Sequence, residues 1–274
     1  MRFTKMHGAG NDYVYVDLLE ERIGDPVALA RAVSDRRTGI GSDGLILLGP
    51  SEHADISMVM FNADGSRAQM CGNGIRCLAV LARDLGRVAG DDVRIETDAG
   101  IKRAEFVAGG VRVDMGVPSL EPASLPVRLP GDRVVNHAVE IDGETFRMTC
   151  VSMGNPHAVL YVDDVAHFDV EHFGAALETS ELFPERVNVS FCQVMDEAHV
   201  AQRTWERGSG ETRACGTGAC AVCVAGVVTG RTGHTLTSRL PGGALRLEWD
   251  GSGPVFMTGP AVTVFRGVWN GDGV

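Results

Sequence analysis

The chain has 274 residues, 44% of them hydrophobic and 22% charged, which excludes a mainly disordered chain and allows one large domain or two small ones. A formal net charge of −11 makes nucleic acid and anionic membrane surfaces poor partners. The longest uncharged run, between Arg213 and Arg231, is short and is broken by Gly216, Gly218 and Gly226, so it reads as a buried helix and not as the ~20-residue apolar span of a membrane protein.

In chain order, short apolar and alternating runs predict strands at 2–6, 13–18, 45–48, 56–61, 93–97, 102–107 and 111–115. Helices are predicted at 26–33 and 71–85. Ala108-Gly109-Gly110 is a hairpin signal. Strands outnumber helices and are mostly joined by turns, which predicts a mixed, largely antiparallel sheet and not a doubly wound one.

The same string then recurs. At a shift of 144, Gly10-Asn11 falls on Gly154-Asn155, Cys71-Gly72 on Cys215-Gly216, Gly74 on Gly218 and Gly86-Arg87 on Gly230-Arg231. One residue is then lost, and at a shift of 143 Gly100 meets Gly243 and Glu105-Phe106 meets Glu248-Trp249. Chance could match glycines in so Gly-rich a chain, but not cysteines and asparagines held in one register. The expected fold is therefore α/β (α+β): two pseudo-symmetric domains, residues 1–116 and 117–260, each a sheet wrapped around one central helix. Pro118, Pro122, Pro126 and Pro130 mark an extended connection between the copies. The last stretch, from Ala261, reads as a strand with no counterpart in the first copy.

Both central helices open on one phrase, Met70-Cys-Gly-Asn-Gly74 and Ala214-Cys-Gly-Thr-Gly218. A helix N-terminus presents unpaired N–H donors and about half a positive charge. It suits a carboxylate, and it lowers the pKa of a cysteine placed there. A lone cysteine in that place would be a small core filler; a duplicated one is a functional signal. Cys77, Cys220 and Cys223 lie inside the apolar helices, and Cys150 and Cys192 in predicted strands, so these five read as core. Cys220-Ala-Val-Cys223 has no second ligand pair, so no metal is expected. An odd count of seven cysteines, after an N-terminus without an apolar signal core, points to a reducing cytoplasm.

Two related domains facing each other would bring two thiols to one cleft. One thiolate and one thiol related by a pseudo-twofold could invert a stereocentre, base on one face and acid on the other, without a cofactor. Helix ends would offset the charge that builds as the α-proton leaves.

His7-Gly-Ala-Gly-Asn11-Asp, Phe61-Asn62-Ala-Asp-Gly-Ser, Met70-Cys-Gly-Asn-Gly-Ile-Arg76-Cys, Gly154-Asn155-Pro-His157 and the run from Glu206-Arg207 to Gly218 together resemble the diaminopimelate epimerase family. The resemblance covers the whole chain. It implies Cys71 and Cys215 as acid/base thiols, and His157 and Glu206 as groups that assist their deprotonation. It implies Gly72-Asn73 and Gly216-Thr217 as the carboxylate cradle, and Asn11, Asn62, Asn155, Asn188, Glu206 and Arg207 as substrate contacts. It also implies a C-terminal segment, 261–274, that returns to the first domain, and a cytoplasmic homodimer acting on a small amino acid in lysine and peptidoglycan precursor biosynthesis, with no metal or cofactor. Some members carry Gln where this chain has Gly44, so a side-chain contact is absent there. A proline or hydroxyproline racemase of the same fold, a thiol redox protein and a duplicated binding module are the competing readings. The first would carry His in the first cysteine motif, where Asn73 stands.

Overall fold

The structure is a computed structural model and describes residues 1–271. It divides into two compact units: Met1–Val113 together with residues 258–271, and Asp114–Met257. The first unit carries β1 (Arg2–Gly8), β2 (Asn11–Asp17), α1 (Pro26–Ser34), β3 (Gly44–Gly49), β4 (Ile56–Asn62), β5 (Arg67–Ala68), α2 (Gly72–Asp84), β6 (Asp92–Thr97), β7 (Gly100–Val107) and β8 (Gly110–Asp114). The second carries β9 (His137–Ile141), β10 (Glu144–Ser152), β11 (Pro156–Tyr161), α3 (Val170–Glu178), β12 (Asn188–Asp196), β13 (His199–Glu206), β14 (Gly210–Thr212), α4 (Gly216–Val228), β15 (Thr235–Leu240) and β16 (Gly243–Glu248). β17 (Phe256–Gly259) and β18 (Val262–Val268) follow.

In the first unit, β2 pairs with β3 in parallel, and β4 with β6 likewise. The pairs β1–β2, β3–β4, β4–β5, β6–β7 and β7–β8 are antiparallel. A parallel pair needs a crossover, and α1 and α2 supply the two. Asp25 starts α1 by accepting from the N–H groups of Val27 and Ala28 at 3.0 Å, with Pro26 in the first turn. Side chains alternate across the strands. Val14, Val16, Leu45, Leu47 and Phe61 bury one face against Leu29, Ala30 and Val33 of α1. The other face receives α2, where Tyr15 donates to the Gly74 carbonyl at 3.1 Å. A Cβ at Gly74 would meet Ile46 Cδ1 at 2.5 Å, so glycine lets the helix start lie against the sheet without displacing the Ile46 side chain.

The second unit repeats the plan. At the shift of 144, α1 falls on α3 and α2 on α4, end to end. The pairing pattern also repeats: β11–β12 and β13–β15 are parallel, while β10–β11, β12–β13, β13–β14 and β15–β16 are antiparallel. α4 packs on β10, β11, β12, β15 and β16 and is apolar on every side, as a surrounded helix must be. The outer edge of β10 is covered by β9. The corresponding edge of β1 is covered by β18, Arg2 opposite Val268. That is where the C-terminal run goes; residues 272–274 lie outside the described residues.

The proline-spaced connection is not extended throughout. Pro122–Ser124 forms a 3-10 turn, and Leu125 is buried in the second unit's core. Proline's fixed φ opens such a turn as readily as it extends a chain, and Leu125 supplies the apolar surface that holds the segment down. Among the described residues, no helix is long and apolar enough to cross a membrane.

Candidate active site

Each unit places one cysteine at the N-cap of its inner helix, in extended conformation: Cys71 before α2 and Cys215 before α4. Gly72-Asn73 and Gly216-Thr217 are the first two residues of those helices, whose first-turn N–H groups have no acceptor within the helix.

Around Cys71 the first unit builds a polar chain. Gly74 N–H donates to Cys71 Sγ at 3.4 Å, and the thiol donates to Asn11 Oδ1 at 3.3 Å. The Asn11 amide donates to Asp43 Oδ2 at 2.7 Å, and Asp43 Oδ1 accepts from Arg36 at 2.8 Å. Arg36 also holds Asp12 at 2.8 Å, and Lys5 approaches the same carboxylate at 2.5 Å. Burial by itself would push the Asp12 carboxyl up; Arg36 and Lys5 outweigh it and leave it below its ordinary value. Asn11 follows the tight turn of Ala9 (φ 52°) and Gly10 (φ 83°), which aims its side chain back over the start of α2. Asn73 is 1% exposed, and its side-chain carbonyl accepts from Arg76 at 2.7 Å. Asn62 ends β4, where its amide donates to Ser66 Oγ at 2.9 Å and holds the turn.

The second unit joins its residues in a longer chain. His157 Nε2 lies 3.1 Å from Asn155 Oδ1, and the Asn155 amide donates to Thr217 Oγ1 at 3.4 Å. Thr217 Oγ1 lies 3.7 Å from Cys215 Sγ. Glu206 faces Cys215 as well and accepts from the Thr212 hydroxyl. Asn188 ties two loops together: its amide donates to the Pro156 carbonyl at 2.9 Å, and its oxygen accepts from Arg207 N–H at 3.0 Å. The Arg207 guanidinium donates to the Glu185 carbonyl at 3.1 Å.

Electrostatics separates these groups. Burial pushes the Cys215 thiol well up, and the charge of Glu206 adds to it; Thr217 and the Gly218 N–H pull the other way and lose. The expectation that a helix start lowers a thiol's pKa therefore fails at Cys215, because desolvation at 4% exposure exceeds what the first-turn donors supply. Burial, with Arg207 nearby, depresses His157 to about 3, so its imidazole is neutral. Its Nδ1 is buried without a hydrogen-bond partner among the described residues. Burial alone pushes Cys150 up to about 12; it is also the main cause at Cys192 and Cys223, likewise near 12, and at Cys77, near 11. These are core thiols, and Cys220 is buried with them. Among the described residues, no cluster of three or more His, Cys, Asp or Glu could hold a metal ion.

Two contributors are absent from the motif reading. Asp43 anchors Asn11, and Tyr13 is a buried phenol facing Asn11 and Cys71. The repeat itself carried the signal for Tyr13, since a shift of 144 sets it on His157.

The model of the family described as diaminopimelate epimerase matches residues 3–121 and 149–264. Proteins named diaminopimelate epimerase from Acetivibrio thermocellus and Desulforudis audaxviator are 52% and 51% identical to this chain, covering 97% and 98% of it and 98% and 99% of their own lengths. One from Methanococcus maripaludis is 47% identical, over 97% of this chain and 99% of its own. Among solved structures, a probable proline racemase from Agrobacterium radiobacter has a TM-score of 0.70 at 17% identity, over 99% of this chain and 93% of that one. A phenazine biosynthesis protein of the PhzF family from Bacillus anthracis has a TM-score of 0.69 at 18% identity, over 97% of both chains. At these identities the two structures share the fold with this chain, and nothing further.

Proposed function

The chain belongs to the diaminopimelate epimerase family, and from that premise we propose that it inverts one α-carbon of LL-2,6-diaminopimelate to give the meso isomer, in lysine and peptidoglycan precursor biosynthesis. The observation that carries the mechanism is the cysteine at the N-cap of the inner helix in each repeat. Inversion needs a base on one face of the α-carbon and an acid on the other. As one thiolate takes the α-proton, the electron pair left on carbon takes the proton of the other thiol. The enzyme ends with the two protonation states exchanged, and the chemistry calls for no cofactor.

Cys215 rests as a thiol and so holds a proton to give; when it serves as base, the Glu206 carboxylate beside it is the acceptor. The Cys71 thiol donates to Asn11 Oδ1, which orients the proton it has to give to the substrate carbon. His157 is a neutral imidazole that reaches Cys215 through Asn155 and Thr217. The first-turn N–H groups at Gly72-Asn73 and Gly216-Thr217 suit the carboxylate of the reacting end. Asn11, Asn62, Asn155, Asn188 and Arg207 are the contacts we assign to the rest of the substrate. The setting we infer is a cytoplasmic homodimer.

The test is incubation of the purified protein with LL-diaminopimelate in deuterated water, with nothing added. Deuterium at one α-carbon together with the meso product supports the proposal. Unchanged substrate, or inversion of proline in its place, overturns it.

A further inference from the structure

Glu178 is the last residue of α3 and is 5% exposed, a carboxylate that the proton transfer leaves unused. A carboxylate accepts and does not donate, and a buried one needs donors on both oxygens. Its Oε2 accepts from the Trp205 indole N–H at 2.7 Å. Its Oε1 accepts from the Gly208 N–H at 2.9 Å, with Arg186 Nη1 at 3.4 Å from the same oxygen. The two shorter bonds grip the chain on either side of Glu206-Arg207, at the tip of the hairpin that joins β13 to β14.

Exposed hairpin tips are where a fold is usually loosest. This one is fastened, although Arg207 and Gly208 are exposed. Gly208 takes a left-handed backbone (φ 75°), and its N–H reaches the end of α3. The Arg207 N–H is held by Asn188, and its guanidinium by the Glu185 carbonyl. That carbonyl is neutral, so it places the guanidinium without cancelling its charge.

The other copy lacks this clamp. At the shift of 144, Glu178 falls on Ser34, Trp205 on Phe61 and Arg207 on Ala63. Phe61 packs against α1, and Trp205 lies on α3 so closely that a Cβ at Gly174 would meet Trp205 Cβ at 2.6 Å. Packing of helix on strand is thus common to both copies and needs no carboxylate. The carboxylate, the indole N–H and the guanidinium occur together in one copy, and none of the three stands at the matching positions of the other.

We infer that Glu178 is a positioning residue for Arg207: by holding Trp205 and Gly208 it fixes the turn from which the guanidinium meets the substrate. The inference rests on the reading of Arg207 as a substrate contact, and a guanidinium suits the second carboxylate of diaminopimelate.

Glu178→Gln keeps the volume and one acceptor oxygen, and sets an NH2 against one of the two donors. It should raise KM for diaminopimelate about tenfold, the scale of one lost hydrogen bond to a charged group. Turnover should change much less, because Glu206 is also held by Thr212 and by the pairing of β13 with β14. Trp205→Phe, which removes only the indole donor from the clamp, should raise KM in the same direction and by less. In an Arg207→Ala background, Glu178→Gln should add nothing to KM, since the group it positions is gone. Phenylglyoxal labelling of arginines, followed by peptide mass spectrometry, needs no substrate. Arg207 should react several-fold faster in Glu178→Gln than in wild type, while the exposed Arg67 and Arg94 of the first unit keep their rates. If Glu178→Gln does not fold, Trp205→Phe carries the same three measurements. An unchanged KM in the folded variant, a further rise of KM on top of Arg207→Ala, or unchanged labelling of Arg207 overturns the inference. If the wild-type protein does not epimerise diaminopimelate, the proposed substrate falls and the labelling alone judges Glu178.

Discussion

Cys71 and Cys215 occupy one position in two copies of one unit, and their surroundings differ in kind. Cys71 is partly exposed, at the end of a chain that runs through Asn11 and Asp43 to the charged group of Arg36, Asp12 and Lys5. Cys215 is buried, with one carboxylate against it and a hydrogen-bonded path through Thr217 and Asn155 to a neutral histidine. The helices behind them differ as well: α2 buries Arg76 where α4 has Cys220. A duplicated backbone preserves where the sulfur sits and leaves its acidity to the neighbours. At Cys215 the helix start loses to burial, so first-turn donors alone do not make a thiolate.

The bluntest way to break the comparison is to remove one sulfur. If the two thiols are the two bases, Cys71→Ala and Cys215→Ala should each lower epimerisation at least about 100-fold, the usual scale for a lost acid–base group. Near-normal turnover in either, measured by formation of the meso isomer, would leave one cysteine reaching both faces and end the two-base reading.

The next largest effect is on stability, and it separates the helices. Arg76 is fully buried and donates to the Gly72 carbonyl at 3.0 Å, to Asn73 and to the Pro260 carbonyl at 3.3 Å. Arg76→Met leaves those acceptors buried without their charged donor and should cost about 3 kcal/mol in urea denaturation. Cys220→Ala, at the matching position of α4, should cost about 1 kcal/mol, the scale of a small trimmed side chain. Equal losses would mean that Arg76 is only filler.

Much of this plan was legible in the chain itself. Alternation located the strands, and the uncharged run 214–230 located the surrounded helix α4. The Cys-Gly-x-Gly phrases located both helix starts. What was hidden depended on packing. The thiol of Cys215 rises because of burial, which no motif encodes. The Asn73 side-chain oxygen accepts from Arg76, three residues along its own helix, a pairing that the motif does not encode. Tyr13 looked like one more apolar residue of β2 until its ring was found over Gly44. Leu125 shows the same limit, since proline spacing says nothing of which apolar residue between the prolines is taken into a core.

Glu206 sharpens the comparison through a split sign. Its charge helps hold the Cys215 thiol up, and it is the group proposed to take that thiol's proton. Glu206→Gln should make Cys215 more acidic, so that its alkylation at fixed pH rises several-fold, while kcat falls about tenfold for want of an acceptor. Cys71 alkylation should stay as it was. Both readouts moving down together would show that Glu206 only supports the loop.

The smallest effect is a slope, and it belongs to the second unit. His157 titrates near 6.5 in an unfolded chain and at about 3 when folded, because burial and then Arg207 oppose its charge. Between these values the unfolded state binds the extra proton, so stability rises with pH there. The stability due to neutral His157 is full above about pH 6.5 and drains away as pH falls toward 3, by at most about 1.4 kcal/mol per pH unit for one proton. Urea denaturation of the wild-type protein and His157→Gln at pH 7, 6, 5 and 4 isolates this one group, because every other titration is common to both. The wild-type protein should lose stability faster than the variant across that range. Tyr13, the counterpart in the first unit, carries no charge there, so Tyr13→Phe should run parallel to wild type. Parallel curves for His157→Gln as well would mean that the imidazole takes up its proton in the folded protein as readily as in the unfolded chain, and the neutral path from His157 through Asn155 to Thr217 would fall with it.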